Sequence, residues 1–344
     1  NIRKLRILIL GTMRPGESEA LEQAISRMKD ERSAKELHVS KLDIESAQSL
    51  IDRMFHPNGF PRALAERLHQ QSKGNPLFMI EILKAMLEDG SIARTDAGFA
   101  LVSDSYHIPA TVEEVVNRRL DSLDPDAMTM VEYASCIGQR FNRALAESIT
   151  LLSNPAESID KLSRSGILLV RDGGVEFNHA IFQSVIYNGI GERWRASHHK
   201  CLGEHLERAF ADRSDEVVYD LARHFSKTSE HGKTSDYCIR AGEKAEGLFA
   251  VEQALEFYKD ALTALSMARP SPSGRIVQGV MERMGDIHGI LGNYDGALGM
   301  YAGARKHSDE RETIARLLRK SGSVQANMGD FDLALRHLED AKSA

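Results

Sequence analysis

Three times in its C-terminal third the chain sets a glycine twelve residues ahead of the pattern Ala-Leu-x-x-Tyr/Leu-x-x-Ala. Gly242 precedes Ala254, Leu255, Tyr258 and Ala261; Gly285 precedes Ala297, Leu298, Tyr301 and Ala304; Gly322 precedes Ala334, Leu335, Leu338 and Ala341. Small residues at both positions let two helices pack closely. Units of this kind each contact their neighbours, and stacking them is what buries a continuous core.

The units are offset by 43 and 37 residues, more than the roughly 34 of a tetratricopeptide repeat, and the linker Ala268-Arg269-Pro270-Ser271-Pro272-Ser273 can hold the excess. Gly292-Asn293-Tyr294-Asp295 and Gly329-Asp330-Phe331-Asp332 read as matching turns inside the second and third units. Residues 230–344 are therefore expected to form an α-solenoid of TPR-like repeats, whose curved surface suits a protein or small-molecule effector.

Length and composition bound the rest. A chain of 344 residues has room for two or three domains. Aromatics are 6% and Ala, Leu, Glu and Arg recur throughout, so a mainly α protein is expected. A net charge of −6 with both signs interspersed leaves no basic field for nucleic acid or anionic lipid. Cys136, Cys201 and Cys238 form no Cys-x-x-Cys pair, which points to a reducing, cytoplasmic setting and no zinc site. No apolar run reaches the roughly 18 residues of a bilayer span, and Ile7-Leu8-Ile9-Leu10 is too short for a signal-peptide core.

At the N-terminal end, Leu5 to Thr12 reads as a strand buried on both faces. Met13-Arg14-Pro15-Gly16 turns the chain, a helix is expected over 17–32, and 35–42 could be the next strand. Residues 1–42 thus read as the remnant of an α/β nucleotide-binding domain. A chain that starts on a core strand and ends just after a repeat unit reads as a piece of something longer. A phosphate loop needs Gly-x4-Gly-Lys-Ser/Thr; only Gly232-Lys233-Thr234 comes near it, in what reads as a polar loop after no strand. No apolar strand ending in Asp-Asp or Asp-Glu follows either, so no catalytic residue is assigned and the chain as it stands should not hydrolyse ATP.

Residues 43–90 read as three helices, over 43–56, 61–73 and 76–89, with a designed break between the last two. Gly74 can close one helix in a left-handed cap, Asn75 supplies an N-cap oxygen, and Pro76 takes the first position of the next helix, where its missing N–H costs nothing. Leu77, Ile80, Leu83 and Leu87 form the expected apolar stripe, with Glu81 and Glu88 elsewhere.

Residues 91–190 read as winged-helix-like: a small hairpin over 91–102, a helix capped by Thr111, a helix from Pro125 to Ile137 ending at Gly138, and short helices over 142–151 and 155–165. A second hairpin follows, from Gly166 to Phe177. Between Thr111 and Ile190 there are 7 Lys and Arg against 11 Asp and Glu, a poor balance for binding phosphate backbone. Residues 191–229 form a helical connector, with Trp194, His198, Cys201, Leu202, His205 and Leu206 spaced for burial. His198 and His199 are adjacent and point to different faces, which argues against a shared metal.

Several spellings along this order resemble the STAND class of regulatory P-loop ATPases, which includes maltose-activator-like transcription factors. Gly-Asn-Pro-Leu-Phe at 74–78 is similar to the family's lid segment, Thr12-Met13-Arg14-Pro15 to its sensor strand, Phe177-Asn178-His179-Ala180-Ile181 to its Phe-x-His-Ala-Leu segment, and Leu221-Ala222-Arg223-His224-Phe225 to the Leu-Ala-x-His-Phe ahead of its repeats. The resemblance implies ATP or ADP in the complete protein, with Arg14 toward the phosphates, Pro76 against the adenine, His179 on the ADP phosphates, and Asn75 counted with them among the nucleotide-binding residues. It also implies a closed ADP form and an open, self-associating form set by an effector on the repeats. The bland readings are a surface arginine, a plain helix corner and a helix-start histidine satisfied by local backbone. Two rival functions stand beside it: a non-enzymatic repeat scaffold, and a DNA-binding regulator acting through the winged helix.

Overall fold

A computed structural model of the chain describes residues 10–13, 19–30, 34–102, 108–109, 111–149, 152–171, 174–270 and 273–344. Among the described residues there are 17 α-helices and five short strands, and the protein is mainly α. It divides into two compact units, residues 1–115 and 116–344.

In the first unit, α1 (Glu19–Asp30) stands within the expected 17–32. Most of the strand expected over Leu5 to Thr12 lies outside the described residues, and residues 10–13 carry no regular structure. The second strand expected, over 35–42, does not form. Leu37 and Val39 are 83% and 91% exposed, and no described strand lies beside them. An extended segment with neither a ladder nor a buried face has nothing to hold it in a sheet.

The helices α2 (Ile44–Met54), α3 (Arg62–Ser72) and α4 (Pro76–Glu88) start and stop within two residues of the expected bounds. Asp43 caps α2 by accepting a bond from the Ser46 amide at 2.8 Å, which holds its carboxyl below the usual range. Ala47, Ile51, Leu64, Leu68, Met79, Ile82 and Met86 make the core. An antiparallel hairpin, β1 (Ile92–Thr95) and β2 (Gly98–Leu101), packs on it through Ile92, Phe99 and Leu101.

The buried face of α4 is not the stripe expected. Phe78, Met79, Glu81, Ile82, Leu83, Ala85 and Met86 are buried, whereas Leu87 is 44% exposed. A helix that is apolar nearly all round has no unique stripe, so its neighbours decide which side goes in. Glu81 is thereby fully buried, with Lys84 3.0 Å from its Oε1.

The helix α5 (Val112–Asp121) is capped by Thr111, whose hydroxyl accepts from the Glu114 amide at 3.2 Å. In the second unit α6 (Pro125–Ile137) ends at Gly138, with φ +136°. Then come β3 (Arg140–Asn142), α7 (Arg143–Ile149), α8 (Pro155–Arg164), β4 (Leu168–Arg171), β5 (Gly174–Phe177) and α9 (Ala180–Gly189). The strands form an antiparallel sheet in the order β3-β5-β4. The strand β3 was not anticipated: three residues directly before a helix carry no periodicity of their own.

Next come α10 (Glu192–Ala209), a 3-10 turn over Ala211–Val217, and α11 (Val218–Phe225). Trp194 is 68% exposed, against expectation, because the buried stripe of α10 begins one turn later at His198 and runs through His199, Leu202, Gly203 and Leu206.

Six helices complete the chain as three pairs: α12 (His231–Gly247) with α13 (Val251–Met267), α14 (Gly274–Ile290) with α15 (Tyr294–Arg305), and α16 (Arg311–Met328) with α17 (Phe331–Ser343). In the first two pairs the glycine receives the tyrosine ring of the partner helix. A Cβ on Gly242 would stand 2.5 Å from Tyr258 Cε1, and one on Gly285 2.5 Å from Tyr301 Cε1. In the third pair, Gly322 faces the Ala334 carbonyl and Leu338 instead. Gly232-Lys233-Thr234 is not a loop but the first turn of α12, where the Thr234 hydroxyl donates to the Phe225 carbonyl at 2.8 Å and Lys233 pairs with Glu207.

The pairs are also joined by a ladder of charge that the apolar pattern did not reveal. Arg240, Arg283 and Lys320 occupy one repeat position, and each reaches back to acid two elements earlier. Arg240 meets Asp215 at 2.6 Å, Arg283 meets Glu243 at 2.9 Å and Glu246 at 3.1 Å, and Lys320 meets Asp286 at 2.6 Å. Tyr258 and Tyr301 donate their hydroxyls into the same acids, Glu246 at 2.9 Å and Asp286 at 2.7 Å.

Candidate functional site

The Gly-Asn-Pro corner is built from backbone outward. Lys73 (φ +52°) and Gly74 (φ +73°) turn left-handed to close α3. The Asn75 carboxamide oxygen accepts from the amides of Leu77 at 3.0 Å and Phe78 at 3.4 Å, and Pro76 opens α4. The corner is tied to the segment before α2, since the Leu42 amide donates to the Gly74 carbonyl at 2.9 Å and His69 Nε2 donates to the Leu42 carbonyl at 3.0 Å. A Cβ on Gly74 would stand 2.4 Å from the Leu42 oxygen, so this position needs glycine for space as well as for φ. Asn75 and Pro76 themselves remain exposed.

His179 lies in the second unit as the N-cap residue of α9. Its imidazole makes no capping bond to that helix; it is half-buried, edge-on to the buried Phe182 ring at 5.7 Å and 87°. The junction of β5 and α9 around it is pinned by Asn178, which donates through Nδ2 to the Gly166 carbonyl at 3.0 Å, and by Gln139 on the Phe177 carbonyl at 2.8 Å. Arg14 lies outside the described residues.

A polar cluster that sequence reasoning missed sits among α6, α9, α10 and α11. His199 Nδ1 lies 2.8 Å from His224 Nδ1, Tyr187 Oη 3.0 Å from His199 Nε2, and Arg223 Nη2 3.2 Å from His224 Nε2. A guanidinium can only donate, so His224 Nε2 is the acceptor and His224 Nδ1–H donates to His199 Nδ1. His199 Nε2–H then donates to the tyrosine oxygen. The chain of bonds has one polarity and needs both imidazoles neutral.

Burial, with the charge of Arg223 next to it, pushes His199 down to about 4 and His224 down to about 2; Lys227, His198 and Arg195 add to the effect on His199. Arg223 also donates to the Cys136 and Ile137 carbonyls, at 3.3 and 3.0 Å, capping the C-terminal end of α6. His198 turns away, to Glu132 at 3.1 Å. The Leu221-Ala222-Arg223-His224-Phe225 motif therefore works as a fastener: Arg223 and His224 in this network, Phe225 against Gly203 and stacked on Tyr237 at 5.4 Å. The sequence signal available was the two histidines of α10 and the Arg-His pair of α11, at helical spacing from apolar neighbours.

The thiols of Cys136 and Cys238 are buried, which pushes each up to about 12, far from a reactive thiolate. Among the described residues no group of three or more His, Cys, Asp or Glu could hold a metal ion, and no helix is long and apolar enough to cross a membrane.

No family model matches the chain, and no curated protein matches it. Among solved structures it is similar to a signal transduction ATPase with numerous domains (STAND) protein with a tetratricopeptide repeat sensor from Pyrococcus horikoshii, at 11% identity and a TM-score of 0.37, over 90% of this chain and 54% of that one. It is also similar to BtubC (BKLC) from P. vanneervenii, at 16% identity and a TM-score of 0.34, over 66% of this chain and 90% of that one. The chain thus spans about half the length of the first of these.

Proposed function

We propose that the chain is the regulatory and sensor portion of a cytoplasmic STAND-type signalling protein switched by ATP and ADP. In this reading, residues 43–90 are the nucleotide lid, 91–190 a winged-helix-like lock, and the helix pairs of 230–344 bind an effector or partner protein. The phosphate loop belongs to a part of the protein outside these residues. The observation that carries the reading is the Gly-Asn-Pro corner: Pro76 is exposed on a break fixed by the Asn75 cap and by the Leu42–Gly74 bond. A rigid, outward-facing proline at a helix start can form one wall of an adenine pocket at no conformational cost to the chain.

The test is equilibrium nucleotide binding to the full-length native protein. ADP should be retained, and Pro76→Ala and His179→Ala should each weaken it by about tenfold, a coupling typical of a two-state switch. A protein that retains no ADP, or holds it equally in both variants, would defeat the switch reading in favour of the non-enzymatic scaffold, which the helix pairs satisfy by themselves.

A further inference from the structure

The turns inside the three helix pairs superimpose in sequence: Phe249, Gly292 and Gly329 share one position, and all three have positive φ, +59°, +73° and +84°. Two repeats fill it with glycine, the residue that adopts this conformation freely. The first holds a phenylalanine there, whose Cβ is crowded against its own backbone in this conformation. Burial does not offset that crowding, since Phe249 is 88% exposed. Hydrogen bonding does not require the ring either, because the turn is closed by backbone alone, with the amides of Leu248, Phe249 and Ala250 bonded to carbonyls of 244–246.

The neighbouring positions repeat the theme. The residue before the left-handed one is apolar and exposed in all three turns: Leu248 at 66%, Leu291 at 41% and Met328 at 45%. Three residues after it an exposed acid recurs, as Glu252, Asp295 and Asp332. These acids suit the helix starts they occupy, yet none has an ion pair among the described residues. Lys244, four residues ahead of Leu248, is engaged on the Asp215 carbonyl and the Tyr219 ring.

We propose that this turn edge, with Phe249 as its anchor, is a docking surface for an amphipathic, basic segment of a partner protein. Apolar and acidic columns side by side call for an apolar stripe flanked by Lys or Arg, and the acidic column disfavours an anionic membrane as the occupant. The inference rests on the reading of the helix pairs as the partner-binding part and is independent of the nucleotide switch.

The probe is a fluorescein-labelled amphipathic Leu/Lys peptide, with a Leu/Glu peptide as control, titrated against the full chain by anisotropy. Phe249→Gly should match or exceed the wild-type Tm while binding the Leu/Lys peptide at least fivefold more weakly. Neutralising Glu252, Asp295 and Asp332 to their amides should weaken binding similarly and flatten its salt dependence. Binding unaffected by either change would overturn the edge as the surface while leaving partner binding elsewhere on the repeats intact. No preference over the Leu/Glu peptide would overturn the proposed chemistry. A drop in Tm for Phe249→Gly would show that the ring serves the fold, and would also overturn the proposal.

Discussion

The ring of Tyr258 lies against the α-carbon of Gly242, close enough that a methyl there would stand 2.5 Å from Cε1. Tyr301 and Gly285 repeat the relationship one helix pair later. Gly242→Ala and Gly285→Ala should therefore each destabilise by about 1–3 kcal/mol through overpacking, lowering Tm by roughly 2–4 °C per kcal/mol. Gly279→Ala is the control: it lies inside α14 with nothing within 4 Å of the added methyl, and should stabilise by about 0.5–1 kcal/mol. Differential scanning calorimetry of the three variants checks the ordering.

Three adjacent changes at the corner should separate widely. Gly74→Ala meets both the left-handed φ and the Leu42 oxygen, and should cost more than about 1 kcal/mol. Asn75→Ala removes the cap of α4 and should cost about 1 kcal/mol. Pro76→Ala, exposed at a first helical position, should stay within about 0.5 kcal/mol. Urea unfolding of each variant reads these differences, and a stable Pro76→Ala protein makes any loss of nucleotide attributable to the site.

The histidine network predicts acid sensitivity. Both imidazoles are held neutral in the folded protein, His199 down to about 4 and His224 down to about 2, while the unfolded chain binds protons near pH 6.5. Below about pH 6.5 the unfolded state takes up more protons, so stability falls with pH, at up to about 1.4 kcal/mol per pH unit for each histidine. The loss continues to about pH 4 for His199 and below it for His224. Denaturant midpoints between pH 7 and 4.5 should show this slope, and His224→Gln should flatten it. Nitrogen-15 spectra should find the proton on Nδ1 of His224 and Nε2 of His199; the opposite tautomers would refute the bond polarity.

Along the charge ladder, Glu282 differs from the rest. Its side chain is 12% exposed and meets Arg316 and Lys320 at 2.9 Å each. Burial pushes its carboxyl up, but those two cations outweigh it and hold it below the ordinary value. Its contribution is present above the unfolded pKa and lost as pH falls through the folded one. Glu282→Gln should cost about 1–2 kcal/mol, more than the 0–1 kcal/mol of an exposed pair, whereas Arg283→Ala should stay under about 1 kcal/mol. A urea series at pH 7 distinguishes them.

Local chemistry made much of this protein legible from its sequence. The helix pairs declare themselves through the Gly-to-Ala spacing, and the corner through Gly74, Asn75 and Pro76, because caps and close helix contacts depend on residues a turn or two apart. What the tertiary structure alone decided involves distant partners. Which side of the apolar helix α4 is buried, and hence that Glu81 is inside, depends on α2 and α3. Residues 35–42 carry strand-like residues but find no ladder. The pairing of His199 with His224, and of Arg223 with the end of α6, joins positions from 25 to 87 residues apart. Such contacts leave no periodic trace, because they are set by how helices pack and not by the pattern along any one of them.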